Sequence, residues 1–199
     1  MSKNRKQELL EIAYKMFITK GYDNTSVDEI IKEADIAKGT FYYYFDSKDE
    51  VLDLVINDMI DKEIIVASKY IEMQIPIEQK LIGIITSLRP SIDEKNIAIA
   101  LNDDTNIKMH RKYNDKLIDS GTKLLKEIIL EGINKGIFNC NNIEERIKLL
   151  LIMSNELFDN NNYSEKDIEV FVDTTEKMLG ASKGSMNFIA NLIGGKYNG

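Results

Sequence analysis

The side chains with recognition chemistry to offer gather between Thr25 and Lys48, in the run TSVDEIIKEADIAKGTFYYYFDSK. Lys38 can reach a guanine edge or a phosphate, and Thr40 is short enough to touch a base. Tyr42 and Tyr43 can lay their rings on sugar or a thymine methyl and give their hydroxyls to phosphate oxygens. Gly39, lacking a side chain, lets backbone come close to a duplex. Lys48 falls near a helix start, where a cation beside backbone N–H groups suits a phosphate. This is the chemistry of reading a nucleic acid, with no bond made or broken.

Catalytic constellations are scarce by comparison. The chain has one histidine, His110, and one cysteine, Cys140, thirty residues apart and with no partner spacing for acid–base or nucleophilic work. Zinc-ligand spacing and a phosphate-cradling glycine loop are both missing, and Asp103-Asp104 alone is a weak metal signal. No enzyme activity, metal or cofactor is expected.

The elements that must hold the candidate residues read as helices. Leu9, Ile12, Ala13, Met16 and Phe17 share one helical face, and Gly21 stops that helix. Thr25 or Ser26 caps a second, short helix, with Glu29 completing a capping box after Ser26. Val27, Ile30, Ile31 and Ala34 form its buried stripe. A tight connection at Asp35-Ile36 leads to a third helix over about 37–44, in which Phe41, Tyr44 and Phe45 face inward while Lys38, Gly39, Tyr42 and Tyr43 face outward. Two short helices joined by a tight turn make a helix-turn-helix, whose second helix can enter the major groove. Ser47 caps a fourth helix that runs to about Met73, roughly 39 Å at 1.5 Å per residue, before Pro76.

Further amphipathic segments follow at about 77–88, 94–109, 113–135, 143–158 and 164–180. Hydrophobic residues make up 43% of the 199 and only two are proline, which suits an all-α chain and not a β-sandwich. The expected organisation is an N-terminal three-helix DNA-binding domain over 1–48 and a larger helical body over 49–199. Net charge is −7 overall, which alone argues against nucleic acid. Residues 1–48, however, hold eight basic and eight acidic side chains, so the whole excess lies beyond them. A single cysteine, a polar Met1–Arg5 and no long apolar run lead to a cytoplasmic expectation.

The pattern G-Y-x-x-T-S-V-x-x-I…A-x-I-A-K-G-T-F-Y-Y-Y-F-x-S-K-D-E-V resembles the DNA-binding domain of TetR/AcrR-type transcriptional regulators, without gaps over about residues 5–55. By that resemblance Ser26, Lys38, Gly39, Thr40, Tyr42, Tyr43 and Lys48 match operator-contacting positions. Tyr44 stands where the family often has histidine. The resemblance further implies a homodimer on a pseudo-palindromic operator, acting as a repressor released by a small, mostly apolar effector, with a four-helix bundle joining the subunits.

Candidates for that dimer contact are Ile147, Leu150, Leu151, Ser154 and Phe158 on one stripe, and Ile168, Phe171, Val172, Thr175, Met178 and Leu179 on another. Candidates for the effector pocket are Met59, Ile84, Leu88, Ile99, Met109, Leu117, Leu124 and Ile128, with Asn102, Asp103, Asn106 and His110 as polar contacts. Each of these stripes also reads as plain core, His110 as a surface histidine in a basic cluster, and Asp103 as a solvated turn. The rival function is a helical small-molecule-binding or protein-interaction module that does not bind DNA; the intact Lys38, Tyr42, Tyr43 and Lys48 weigh against it. Met186, Ile189, Ala190 and Ile193 make a short apolar pattern with no function assigned.

Overall fold

Helices delimited by local caps and turns build the N-terminal part of the protein. The computed structural model describes residues 2–88, 104–158 and 163–189. Among them are eight α-helices, one 3-10 turn and no strand. The first four are α1 (Ser2–Lys20), α2 (Val27–Glu33), α3 (Lys38–Tyr44) and α4 (Lys48–Glu72), followed by α5 (Ile77–Ser87). The 3-10 turn Asp104–Asn106 precedes α6 (Ile107–Asn134), and α7 (Ile143–Phe158) and α8 (Glu165–Leu179) complete the series. Of the described residues, 2–62 and 104–117 make one compact unit; 63–88, 118–158 and 163–189 make the other.

In the first unit, Gly21 ends α1 at φ +91, a conformation open to a residue without Cβ. Ser26 is the N-cap of α2: its hydroxyl accepts the Glu29 N–H, and the Glu29 carboxylate accepts the Ser26 N–H at 2.8 Å. Thr25, the other capping candidate, is buried and donates to the Gly21 carbonyl at 2.8 Å. Asp35 turns the chain between α2 and α3 at φ +49, a left-handed position that aspartate tolerates better than most residues. Ser47 caps α4 through the Glu50 N–H. Leu9, Ala13, Phe17, Ile30, Phe41, Phe45, Val51 and Leu52 form the buried core, each almost wholly shielded from water.

The second unit is closed by side chains of α5 to α8. Ile84, Leu88, Leu125, Ile128, Ile129, Ile147, Leu150 and Leu151 are buried there, and Phe158 meets the Phe171 ring edge-on at 5.3 Å. Gly180 ends α8 at φ +62. Beyond it the buried Glu176 carboxylate accepts the N–H groups of Gly184 and Met186, both at 2.8 Å, and Met186 and Ile189 are buried. Part of the C-terminal apolar pattern is therefore docked; Ala190 and Ile193 lie outside the described residues.

Two expectations change. The segments read as 94–109 and 113–135 are not separated at 110–112: α6 runs unbroken from Ile107 to Asn134. Nothing at His110-Arg111-Lys112 breaks a helix, and Met109, Tyr113 and Leu117 continue one buried stripe across it. The residues 94–103 lie outside the described residues. The side chains assigned to a dimer contact instead fill the interior of a single chain. Ile147, Leu150, Leu151, Ser154, Phe158, Ile168, Phe171, Val172, Thr175 and Leu179 are buried, and Met178 is half-buried. Thr175 spends its hydroxyl on the Phe171 carbonyl at 2.7 Å. Amphipathic periodicity found the buried face of each helix, and that face serves the chain's own core.

Candidate nucleic-acid interface

The recognition surface rests on two aromatic anchors. Phe41 and Phe45 are buried with ring centroids 5.3 Å apart, which fixes the rotation of α3 about its axis. Positions 38, 39, 42 and 43 are then turned outward. Tyr43 is 78% exposed and Tyr42 48% exposed, too much for residues whose role is packing. Tyr44 is half-buried, less inward than its spacing suggests, with its ring against those of Tyr43 and Phe45. Thr40 is half-buried. A Cβ added at Gly39 would meet nothing within 4 Å, so the protein itself does not require glycine there.

Charge on this surface is partly spoken for. Lys38 Nζ lies 3.0 Å from the Asp28 carboxylate on α2, which pushes the lysine pKa up. Lys20 binds Glu29, and with the Ser26 N–H and hydroxyl this draws the Glu29 pKa down to about 2. The hydroxyl of Ser26 is engaged with the same carboxylate at 2.9 Å, so its present role is to cap.

Lys48, expected as a phosphate anchor, is engaged within the protein itself. Its ammonium points inward, donating to the carbonyls of Tyr22 and Thr25 at 2.8 Å each, 4.1 Å from the centre of the Tyr22 ring. Burial pushes its pKa down. Two of its three N–H donors thus brace the loop between α1 and α2.

A second bracing set had no local sequence signal. Asn106 is buried, its amide oxygen accepting the Tyr22 N–H at 2.7 Å and its amide nitrogen donating to the Phe17 carbonyl at 3.0 Å. The Thr105 carbonyl accepts the Asp23 N–H at 3.1 Å, and the Thr105 side chain occupies the space a Cβ on Gly21 would need. Lys108 pairs with Asp49 at 2.6 Å and Lys112 with Asp53. The Tyr22 hydroxyl donates to Asp49, and burial, reinforced by that bond, pushes the phenol pKa well up. Asn106, a candidate effector contact, is therefore committed to the end of α1.

The other effector candidates divide between the units. Met59, Met109, His110 and Leu117 fall in the first, where Met109 and Leu117 are buried and the His110 ring pairs with the Asn114 amide at 2.8 Å. Ile84, Leu88, Leu124 and Ile128 fall in the second, where all but the half-buried Leu124 are core. Ile99, Asn102 and Asp103 lie outside the described residues. One residue went unnoticed in the sequence. Thr122 on α6 is buried with its hydroxyl unpartnered among the described residues. Those residues contain no group of three metal-ligating side chains, and no helix long and apolar enough to cross a membrane.

Comparison with known proteins places this surface in context. Residues 9–55 match the model for bacterial regulatory proteins of the tetR family. An uncharacterised HTH-type transcriptional regulator of Bacillus subtilis, YuxN, is 47% identical over 60 residues, 30% of this chain and 21% of that protein. The negative transcriptional regulator IcaR of the biofilm operon icaADBC in Staphylococcus aureus is 36% identical over 56 residues, 28% of this chain and 30% of its own. The chain thus spans less than a third of the length of these two relatives. The crystal structure of RolR in complex with resorcinol shares the fold at TM-score 0.65 and 19% identity, covering 94% of this chain and 93% of that one.

Proposed function

From the premise that the chain belongs to the tetR family of bacterial regulatory proteins, we propose that it is a ligand-responsive transcriptional repressor whose homodimer reads a pseudo-palindromic operator. The observation that carries this reading is the outward face of α3. Lys38, Gly39, Tyr42 and Tyr43 stand exposed over a rigid Phe41–Phe45 base, in the segment that matches the family. Thr40 completes the base-reading edge, while Ser26 and Lys48 hold the framework from which it projects. IcaR, a negative regulator, supports the sign.

The dimer contact moves to the faces of α7 and α8 that the chain leaves uncovered. Leu149 is 53% exposed, Ile152 49% and Val170 64%. These three replace the buried stripes as the surface for a second copy. Two helices from each subunit then form the bundle, and two recognition helices read two half-sites.

The effector enters the helical body, where Thr122 supplies its polar contact. A buried hydroxyl without a partner costs about 1–3 kcal/mol until something satisfies it, and an effector carbonyl or hydroxyl does so. RolR with resorcinol is a precedent for a small phenolic ligand in this fold. Effector binding lowers DNA affinity only to the extent that it favours the non-binding geometry. Thr122→Val is expected to leave the melting temperature unchanged or raised while abolishing release from DNA by the effector; an intact response removes Thr122 from the site.

Selection from a random duplex library with the purified protein tests the central proposal. A recovered palindrome supports a dimeric operator reader. Folded dimer that enriches nothing, with and without a cell extract of small molecules, overturns it.

A further inference from the structure

We propose that Asp28 is a positioning residue for Lys38 that suppresses binding to DNA lacking the operator sequence, an inference that rests on the DNA-reading function above. The charge inventory is the starting point. Between Tyr22 and Lys48 the helix-turn-helix carries three lysines against six carboxylates. One lysine, Lys48, spends two donors on the carbonyls of Tyr22 and Thr25. Another, Lys38, is the sole cation of α3 and sits 3.0 Å from Asp28 Oδ1, both side chains exposed. The third, Lys32, lies on α2 and not on the recognition helix, and Lys20, on the neighbouring α1, is tied to Glu29. A duplex approaching α3 therefore meets a cation already compensated by an acid on the preceding helix.

An exposed ion pair of this kind is weak and exchanges readily. Lys38 can leave Asp28 for a guanine or a phosphate, but the exchange strands a carboxylate near the DNA backbone. At physiological salt, charges closer than about 8 Å are poorly screened, so that carboxylate repels the phosphates. Exchange is favourable only when Thr40, Tyr42, Tyr43 and the backbone at Gly39 make their own contacts at the same moment. On unrelated sequence those contacts fail, Lys38 stays with Asp28, and sequence-independent attraction is small. Asp28 thereby makes the one cationic contact of α3 conditional on register.

The test uses the full chain, the duplex recovered by selection, and a scrambled duplex of equal composition, with affinities measured by fluorescence anisotropy across a salt series. Asp28→Asn is expected to tighten binding to the scrambled duplex roughly tenfold and to the selected duplex by much less, so that their ratio falls. The salt slope on scrambled DNA steepens by close to one unit, the signature of one more cation available to phosphate. In a Lys38→Gln background the same substitution leaves the ratio unchanged, because Asp28 then has nothing to hold. Asp28→Ser, which also removes the charge, repeats the comparison should the asparagine variant fold poorly. An unchanged ratio in Asp28→Asn overturns the proposal, as does an equal fall in the Lys38→Gln background, which would mean bulk charge and not positioning. Wild-type protein that prefers no duplex would overturn the DNA-reading function itself, a different result from a preference that Asp28→Asn leaves intact.

Discussion

The two faces of α7 both carry apolar side chains and differ in what those side chains touch. Leu150 and Leu151 are buried in their own chain, whereas Leu149 and Ile152, one residue away on either side, stand half in water. On α3 the same split runs between Phe41 and Tyr43. In each helix the buried face secures the fold, and the exposed apolar or aromatic face is what remains for another molecule. The difference teaches that apolar character finds a helix's preferred face, while the face left over is the one with information about partners.

Substitutions on the two faces of α7 should separate most sharply. Leu150→Ala is expected to cost about 2–5 kcal/mol of folding stability, read from denaturant unfolding, because it leaves a cavity in a closed core. Leu149→Asp should leave the unfolding of a single chain nearly unaltered and shift sedimentation from dimer to monomer. Equal loss of stability in both variants would dissolve the distinction. Within the first unit, Asn106→Ala strands the Tyr22 N–H and the Phe17 carbonyl, at a cost of about 1–3 kcal/mol in thermal or chemical unfolding.

Gly39→Ala sharpens the comparison by setting stability against binding. Since a Cβ there is unopposed, relief of glycine's backbone entropy in α3 should add about 0.5–1 kcal/mol to stability. Affinity for the selected duplex should fall as the methyl holds the helix off the groove. A variant both more stable and tighter in binding would mean that the backbone at Gly39 never approaches DNA.

The smallest effect concerns pH. Glu29 titrates near 2 when folded, against an ordinary 4.5, with Lys20 the first cause. A depressed carboxylate lends stability above its unfolded pKa and withdraws it as pH falls through the folded one. Thermal stability should therefore decline between about pH 4.5 and 2. Glu29→Gln should flatten part of that decline, and Asp49, Glu131, Glu144 and Asp167, all held low by their partners, account for more. An identical acid profile for Glu29→Gln would show that the capping box and Lys20 do not bear on folding.

Legibility followed the range of the interactions. The ends of α1 to α4 could be read because Gly21, Ser26 with Glu29, and Ser47 act within a few residues of themselves. The outward set on α3 was readable for the same reason, since burying Phe41 within the helix and Phe45 at its end fixes which positions face out. The inward bonds of Lys48 leave no local signal because its partners, the carbonyls of Tyr22 and Thr25, are over twenty residues away. Asn106 was read as a ligand contact because its partners are more than eighty residues off. The stripes on α7 and α8 could not be told from core in the sequence, because periodicity marks a buried face without saying which chain buries it.

The joint between Asn106 and the end of α1 bears on how such proteins are recombined. Residues 104–117 belong to the same compact unit as the recognition helix, although a conventional splice would cut after residue 48 and graft the reading head onto a foreign body. A chimera made that way separates Gly21 from Thr105 and leaves Phe17 and Tyr22 without their amide clasp. The transplantable module is discontinuous, and a hybrid sensor built from this chain must carry the 104–117 segment with the head or rebuild its contacts in the host.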